Sequence, residues 1–153
     1  MSEKHKSVDN YWDFIGKAGY FQLLGLHIDE AQDGRGVVSI RVDSRLMHPH
    51  QVVHGGVIFT LADTAMSMAL MSVLPPYTRL STIEAKINYL LPVLSGELVA
   101  EAALVHRGRS TAVMEATIYN NDGDERRAIA RALGTFKIFN SRYTPSQEEK
   151  SAK

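Results

Sequence analysis

The sequence predicts an α+β fold: a curved antiparallel sheet wrapped around one long central helix, with a short helix at the N-terminal end. Three observations lead there. Residues 55–74, GGVIFTLADTAMSMALMSVL, are rich in Ala, Met and Leu, and Asp63 is their only charge. Such a composition favours helix over strand. Six segments of strand character flank that stretch, and a helix apolar on every side belongs in the middle of a domain. The third observation is size. The chain has 153 residues, of which 44% are hydrophobic and 22% charged, as in one ordinary globular domain.

The elements follow in order. Residues 1–7 read as a polar tail. Residues 8–19 form a short helix with Tyr11, Trp12 and Ile15 turned inward, and Gly19 ends it. LGLHIDE and residues 36–43 are two strands joined at Asp33-Gly34, a hairpin signal. On the second strand Val38, Ile40 and Val42 share one face. The central helix over 55–74 is stopped by Pro75-Pro76. Its length would permit a membrane span, but six strands need a core to cover, so the helix is placed inside. Residues 81–90 put Ile83, Ala85, Ile87 and Tyr89 on one face. Strands at 97–106, 110–119 and 127–139 follow, with Ser95-Gly96 and 120–125 as turns. Ala112, Met114, Ala116 and Ile118 share a face. The tail from Ser141 is polar. One domain, 1–153, accounts for the whole chain.

Composition also excludes. Lys plus Arg and Asp plus Glu are 17 each, and a balanced charge argues against a nucleic-acid or anionic-membrane partner. Cysteine is absent, which removes disulfides, thiolate metal sites and Cys nucleophiles. The first twelve residues hold no apolar run, so a cytoplasmic protein is expected.

The densest chemistry lies in HPHQVVHGG, residues 48–56, and at Asp63. Gly55-Gly56 stand where the helix begins. Free N–H groups of a first helical turn favour an anion or a developing oxyanion, and glycine lets a ligand come close. A tight loop alone would also explain the glycines. A carboxylate inside an apolar helix costs several kcal/mol unless paired or neutralised. Asp63 is thus read as a general base or nucleophile with a raised pKa, against the plain alternative of a loop-capping Asp. Asp63 lies eight residues after Gly55, about 12 Å along the axis at 1.5 Å per residue. One helix therefore cannot bring both to one carbonyl. Two helices packed antiparallel in a two-fold dimer can. His48, His50 and His54 form HxHxxxH, a weak zinc signal, and no metal site is expected. His54 is read as orienting the loop or the substrate carbonyl.

The string HGGVIFTLADTAMSMAL, with Asp nine residues after His, resembles the hotdog-fold acyl-CoA thioesterases of the phenylacetic-acid-degradation type, within the thioesterase superfamily. The later run STIEAKINYLLPV is similar to that family's strand signature, and the order of elements agrees over most of the chain. The resemblance implies dimers and commonly tetramers. It also implies hydrolysis of acyl-coenzyme A thioesters with no cofactor beyond the coenzyme A of the substrate. Residue by residue, it implies that Gly55 donates its N–H to the thioester carbonyl while Gly56 supports the loop. Asp63 of the other subunit attacks or activates water, His54 precedes the glycines, and Thr82 positions the water. The family usually has Asn six residues before that His. Here the position is His48, followed by Pro49, and either His48 or the amide of Gln51 can take its place.

A thiolate leaves readily, so a carboxylate and an oxyanion hole suffice for this chemistry. Coenzyme A phosphates call for basic residues. The turn His106-Arg107-Gly108-Arg109-Ser110 is the main candidate, with Lys86 and Arg79 behind it. The acyl group is expected along Leu61, Met66, Met68 and the Tyr77 loop. Rival readings are a non-hydrolytic ligand-binding module, a hydratase or dehydratase using His48, and a metal hydrolase.

Overall fold

The computed structural model describes residues 11–142. Residues 11–16 are helical (α1), followed by α2 (Gly19–Leu24), β1 (His27–Gln32), β2 (Arg35–Arg41), α3 (Gly55–Met71), β3 (Thr78–Tyr89), β4 (Glu97–Arg107), β5 (Thr111–Asp122) and β6 (Glu125–Arg142). All six strands lie in one antiparallel sheet in the order β1-β2-β4-β5-β6-β3. The sheet packs against α3, and the fold is the hotdog.

The β1–β2 hairpin turns at Asp33 (φ 51°) and Gly34 (φ 80°). Both centres are left-handed, the conformation that matches strand twist across a two-residue loop. Gly34 N–H donates to Ser72 Oγ at 2.9 Å, and Ser72 Oγ donates to the Ala69 carbonyl at 2.7 Å. The hairpin is thereby tied to the C-terminal end of α3.

The core is built from small residues where helix meets sheet. Ala62, Ala65 and Ala69 of α3 are buried, as are Ala100, Ala102, Ala116 and Ala130 of the strands. Gly36 in β2 lies directly under the helix. A Cβ there would strike the Ala65 carbonyl and stand 2.6 Å from Ala69 N. Larger side chains fill the flanks, with Leu61, Met66, Leu70, Met114, Ile118 and Phe136 fully enclosed. Ala112, Met114, Ala116 and Ile118 share the inner face as the alternation predicts.

The structure corrects several expectations. Gly19 does not end the first helix; it begins α2, and the break falls at residues 17 and 18. The start of the expected helix, residues 8–10, lies outside the described residues, as do both expected tails apart from residues 141 and 142. Those two continue β6, so Ser141 is strand and not tail. The central helix ends at Met71, before Pro75-Pro76. Nor is it enclosed on every side. Thr60, Asp63, Thr64 and Ser67 are only half-buried, a polar stripe at helical spacing. The sheet buries the opposite side of α3, and this stripe is only partly covered, with Thr60 hydrogen-bonded to the Tyr20 hydroxyl of α2 at 3.0 Å.

β3 also departs from simple alternation. Its register with β6 shifts between Thr82 and Glu84, where Thr82 faces Phe136 and Glu84 faces Thr135. Ile83 is the extra residue and is 56% exposed, not inward with Ala85 and Ile87. A bulge of this kind reverses the side-chain parity on one side of it. Here it puts Thr82 on the helix side of the sheet.

Candidate active site

His54 is the N-cap of α3, and its Nδ1 accepts the Gly56 N–H at 2.9 Å. Ser, Thr, Asp and Asn usually do this; the imidazole does the same through a ring nitrogen. An accepting Nδ1 carries no proton, so a neutral His54 holds its proton on Nε2. The approach to the helix is pinned by backbone bonds. His54 N–H donates to the Leu46 carbonyl at 2.9 Å, Val53 N–H to Val93 at 2.9 Å, and His48 N–H to Val52 at 2.7 Å. Gly55 follows as the first helical residue, and its N–H meets no acceptor among the described residues. A free N–H on a fixed loop at the positive end of a helix dipole suits a developing oxyanion.

Eight residues on, Asp63 stands in the half-buried stripe and accepts the Thr82 hydroxyl at 2.8 Å. Burial pushes its pKa above the ordinary 3.8, and the Thr82 bond partly offsets that. Ser67, one turn further along the same face, was not singled out from sequence, although the i, i+4 spacing from Asp63 would have found it. Asp63 and Thr82 are therefore together. Asp63 and Gly55 are not: they remain about 12 Å apart along the axis of α3, by its 1.5 Å rise per residue.

The remaining candidates fall in several places. The His48 ring is half-buried, with its centroid 6.0 Å from that of His54 and 5.0 Å from that of His50. Gln51 is an exposed turn residue at φ 62°, whose N–H donates to the His48 carbonyl. Among the described residues, no group of three His, Cys, Asp or Glu side chains could hold a metal ion. The turn Arg107-Gly108-Arg109-Ser110 lies at the opposite end of α3 from Gly55, where Arg107 Nη1 donates to the Val73 carbonyl at 3.0 Å. Leu61, Met66 and Met68 are core, at 0%, 0% and 3% exposed. They do not wall an acyl group. Lys86 is exposed, opposite Leu133.

Two cavities flank the helix instead. One, of about 380 Å³, adjoins Gly55 and is lined by Val52, Ile58, Tyr89 and Leu91. The other, of about 320 Å³, begins at Ser67 and is walled by Tyr11, Phe14, Met71 and Tyr77, with Arg79 beside them. A third, of about 410 Å³, lies between α1 and β1 and touches no candidate residue. Among the described residues no helix is long and apolar enough to cross a membrane.

Comparison with known proteins gives the class of this fold: a thioester hydrolase. Residues 50–126, half of the chain, match the family model described as the thioesterase superfamily. The chain belongs to that superfamily. It is 32% identical over 119 residues to the acyl-coenzyme A thioesterase PaaI of Escherichia coli, covering 76% of this chain and 81% of that protein. The solved structure of E. coli PaaI superposes with a TM-score of 0.79 at 28% identity, over 94% of this chain and 100% of that one. A thioesterase family protein from Silicibacter pomeroyi superposes equally well, at 0.79 and 28% identity, over 86% and 97%.

Proposed function

We propose that the chain hydrolyses acyl-coenzyme A thioesters to the free acid and coenzyme A, in a site made by two subunits. One observation carries the reading. Asp63, its pKa raised by burial and its oxygen held by Thr82, lies on the half-buried polar face of α3. A half-buried carboxylate with a fixed hydroxyl beside it is an arrangement for handling a proton or attacking a carbonyl.

The rest follows from length. With Gly55 set against Asp63 of the partner subunit, the two α3 helices run antiparallel and cover each other's polar stripes. The thioester oxygen takes the Gly55 N–H. Asp63 of the partner subunit removes a proton from water, and the hydroxide adds to the carbonyl carbon. Collapse of the tetrahedral adduct breaks the C–S bond and expels the thiolate, which takes up a proton. Direct attack by Asp63 through an anhydride is the other route, and water then hydrolyses the anhydride. His54 and His48 flank the bound carbonyl. The antiparallel pairing also carries the partner's basic turn, Arg107 to Ser110, to the Gly55 end, where coenzyme A phosphates can meet it. The acyl group then lies in the aromatic-walled cavity beyond Asp63. PaaI of E. coli is named for acyl-coenzyme A, and a relative in Listeria monocytogenes, 30% identical over 100 residues covering 65% of this chain and 81% of that one, is a 1,4-dihydroxy-2-naphthoyl-CoA hydrolase. Both names support this substrate class.

The test is free-thiol release from a panel of aromatic and aliphatic acyl-CoAs, by the wild type and by Asp63→Asn. Turnover by the wild type and a loss of about 10²-fold or more in the variant are expected. No turnover of any panel member by the folded wild type would overturn the proposal.

A further inference from the structure

Gly55 is gripped from a third direction, by a strand residue 34 positions away. The Tyr89 hydroxyl donates to the Gly55 carbonyl at 2.9 Å. Its ring lies over the glycine: a Cβ on Gly55 would stand 3.2 Å from Tyr89 Cζ and 3.3 Å from its oxygen. A side chain at residue 55 would push the Tyr89 ring back by a few tenths of an ångström. Tyr89 is itself well anchored. It pairs with Ala130 at the end of β3, and the next two N–H groups, of Leu90 and Leu91, donate to the Ile129 carbonyl at 2.8 and 3.3 Å. Burial raises the Tyr89 pKa above the ordinary 10.0, so the phenol keeps its proton, and remains a donor, through neutral pH.

We infer that Tyr89 is a positioning residue for the oxyanion donor: its hydroxyl and ring fix Gly55 so that the Gly55 N–H stays aimed at one point. This rests on the thioesterase reading. The physical need is specific to glycine. Gly55 has more backbone freedom than any other residue type, and its N–H has no protein acceptor among the described residues to hold it. The cap from His54 fixes the peptide after Gly55, through Gly56 N–H, and the His54 N–H bond to Leu46 fixes the one before His54. The peptide between them, which carries the Gly55 N–H, is held on its carbonyl side by the Val57 N–H, which donates to the His54 carbonyl at 2.9 Å. Tyr89 grips the Gly55 carbonyl, on the same peptide as the Gly56 N–H, from the strand side. Catalysis by an oxyanion donor depends on its being in place before charge develops, and small displacements are costly. The phenolic proton is committed to the Gly55 carbonyl, so Tyr89 is not a proton donor to the leaving group.

Tyr89→Phe removes the hydroxyl and keeps the ring. In the full chain labelled with 15N-glycine, the Gly55 amide resonance is expected to shift or broaden in this variant, with the thermal midpoint little changed. On the best acyl-CoA of the panel, kcat should fall about tenfold with KM within about twofold, the pattern of an interaction realised in the transition state. The pH–rate profile should keep its shape. Tyr89→Leu, which also removes a cavity wall, should raise KM as well. An unresponsive Gly55 amide in Tyr89→Phe overturns the inference whatever the activity. So does an unchanged kcat in a variant of a turning-over enzyme, or a displaced alkaline limb, which would make Tyr89 an acid. A responsive amide in a protein that turns over no acyl-CoA supports the grip on Gly55 and overturns the thioesterase reading instead.

Discussion

At Asp63 two influences oppose each other. Burial raises the carboxyl pKa and the Thr82 hydroxyl lowers it, and burial is the larger. A raised folded pKa means that the native state holds this proton more tightly than the unfolded chain does. The stability from that difference is full below the ordinary 3.8 and is lost as pH rises through the folded value. At neutral pH the charged Asp63 therefore weakens the fold. Asp63→Asn should melt higher than the wild type at neutral pH, by roughly a few degrees for a domain of this size. The gap should close below pH 3.8, as thermal melts across the acid range would show. Thr82→Val removes the influence that lowers the pKa. Its kcat/KM should fall about 10- to 150-fold, the equivalent of the roughly 1.5–3 kcal/mol of a hydrogen bond to a charged group, and the acid limb of its pH–rate profile should move to higher pH. A limb that stays in place would detach Thr82 from Asp63.

Between the elements, β2 packs against the backbone of α3 at Gly36. A side chain there has nowhere to go, because what it meets is helix backbone and not a flexible side-chain end. Gly36→Ala should cost about 3 kcal/mol, the upper range for overpacking, read from the midpoint of urea unfolding. Cost below about 0.5 kcal/mol would mean that the helix can slide on the sheet. The existence of β5 and β6 was legible in their alternation, and that of β4 in the turn signals before it; the order of strands in the sheet was not. The bulge at Ile83 was not. Its Ile lies within a regular apolar alternation, and only pairing with β6 makes it the extra residue. The same bulge turns Thr82 towards Asp63, so the helix–strand bond at the site depends on a register that local pattern does not carry. Gly19 misled for a similar reason: a glycine signals a break but not which side of it the helix occupies.

For the whole molecule, the proposed two-subunit site makes a prediction about subunits. Gly55→Pro deletes the N–H at the first helical position, where proline is tolerated, while Tyr89 yields slightly to its ring. Asp63→Asn deletes the carboxylate. Each homodimer should be inactive. Mixed by unfolding and refolding together, half of the dimers carry one of each. Every such dimer has one site with both defects and one with none, so about a quarter of wild-type activity should return. No recovery would mean that Gly55 and Asp63 act in separate sites or not at all.

The sequence by itself determined the central helix, the hairpin at Asp33-Gly34, the sheet's strands and the special standing of His54, Gly55 and Asp63. All of these rest on local chemistry: propensity, periodicity, turn residues, and the cost of a charge among apolar neighbours. The spacing of Gly55 and Asp63 even showed that one chain cannot join them. Only the tertiary structure decided that Thr82 faces Asp63, that Leu61, Met66 and Met68 are core, that α3 keeps a half-buried polar stripe, and that Tyr89 closes over Gly55. Those facts depend on strand register and on which face of each element finds a partner, and residues 34 apart in sequence acquire their contact only when the sheet brings them together.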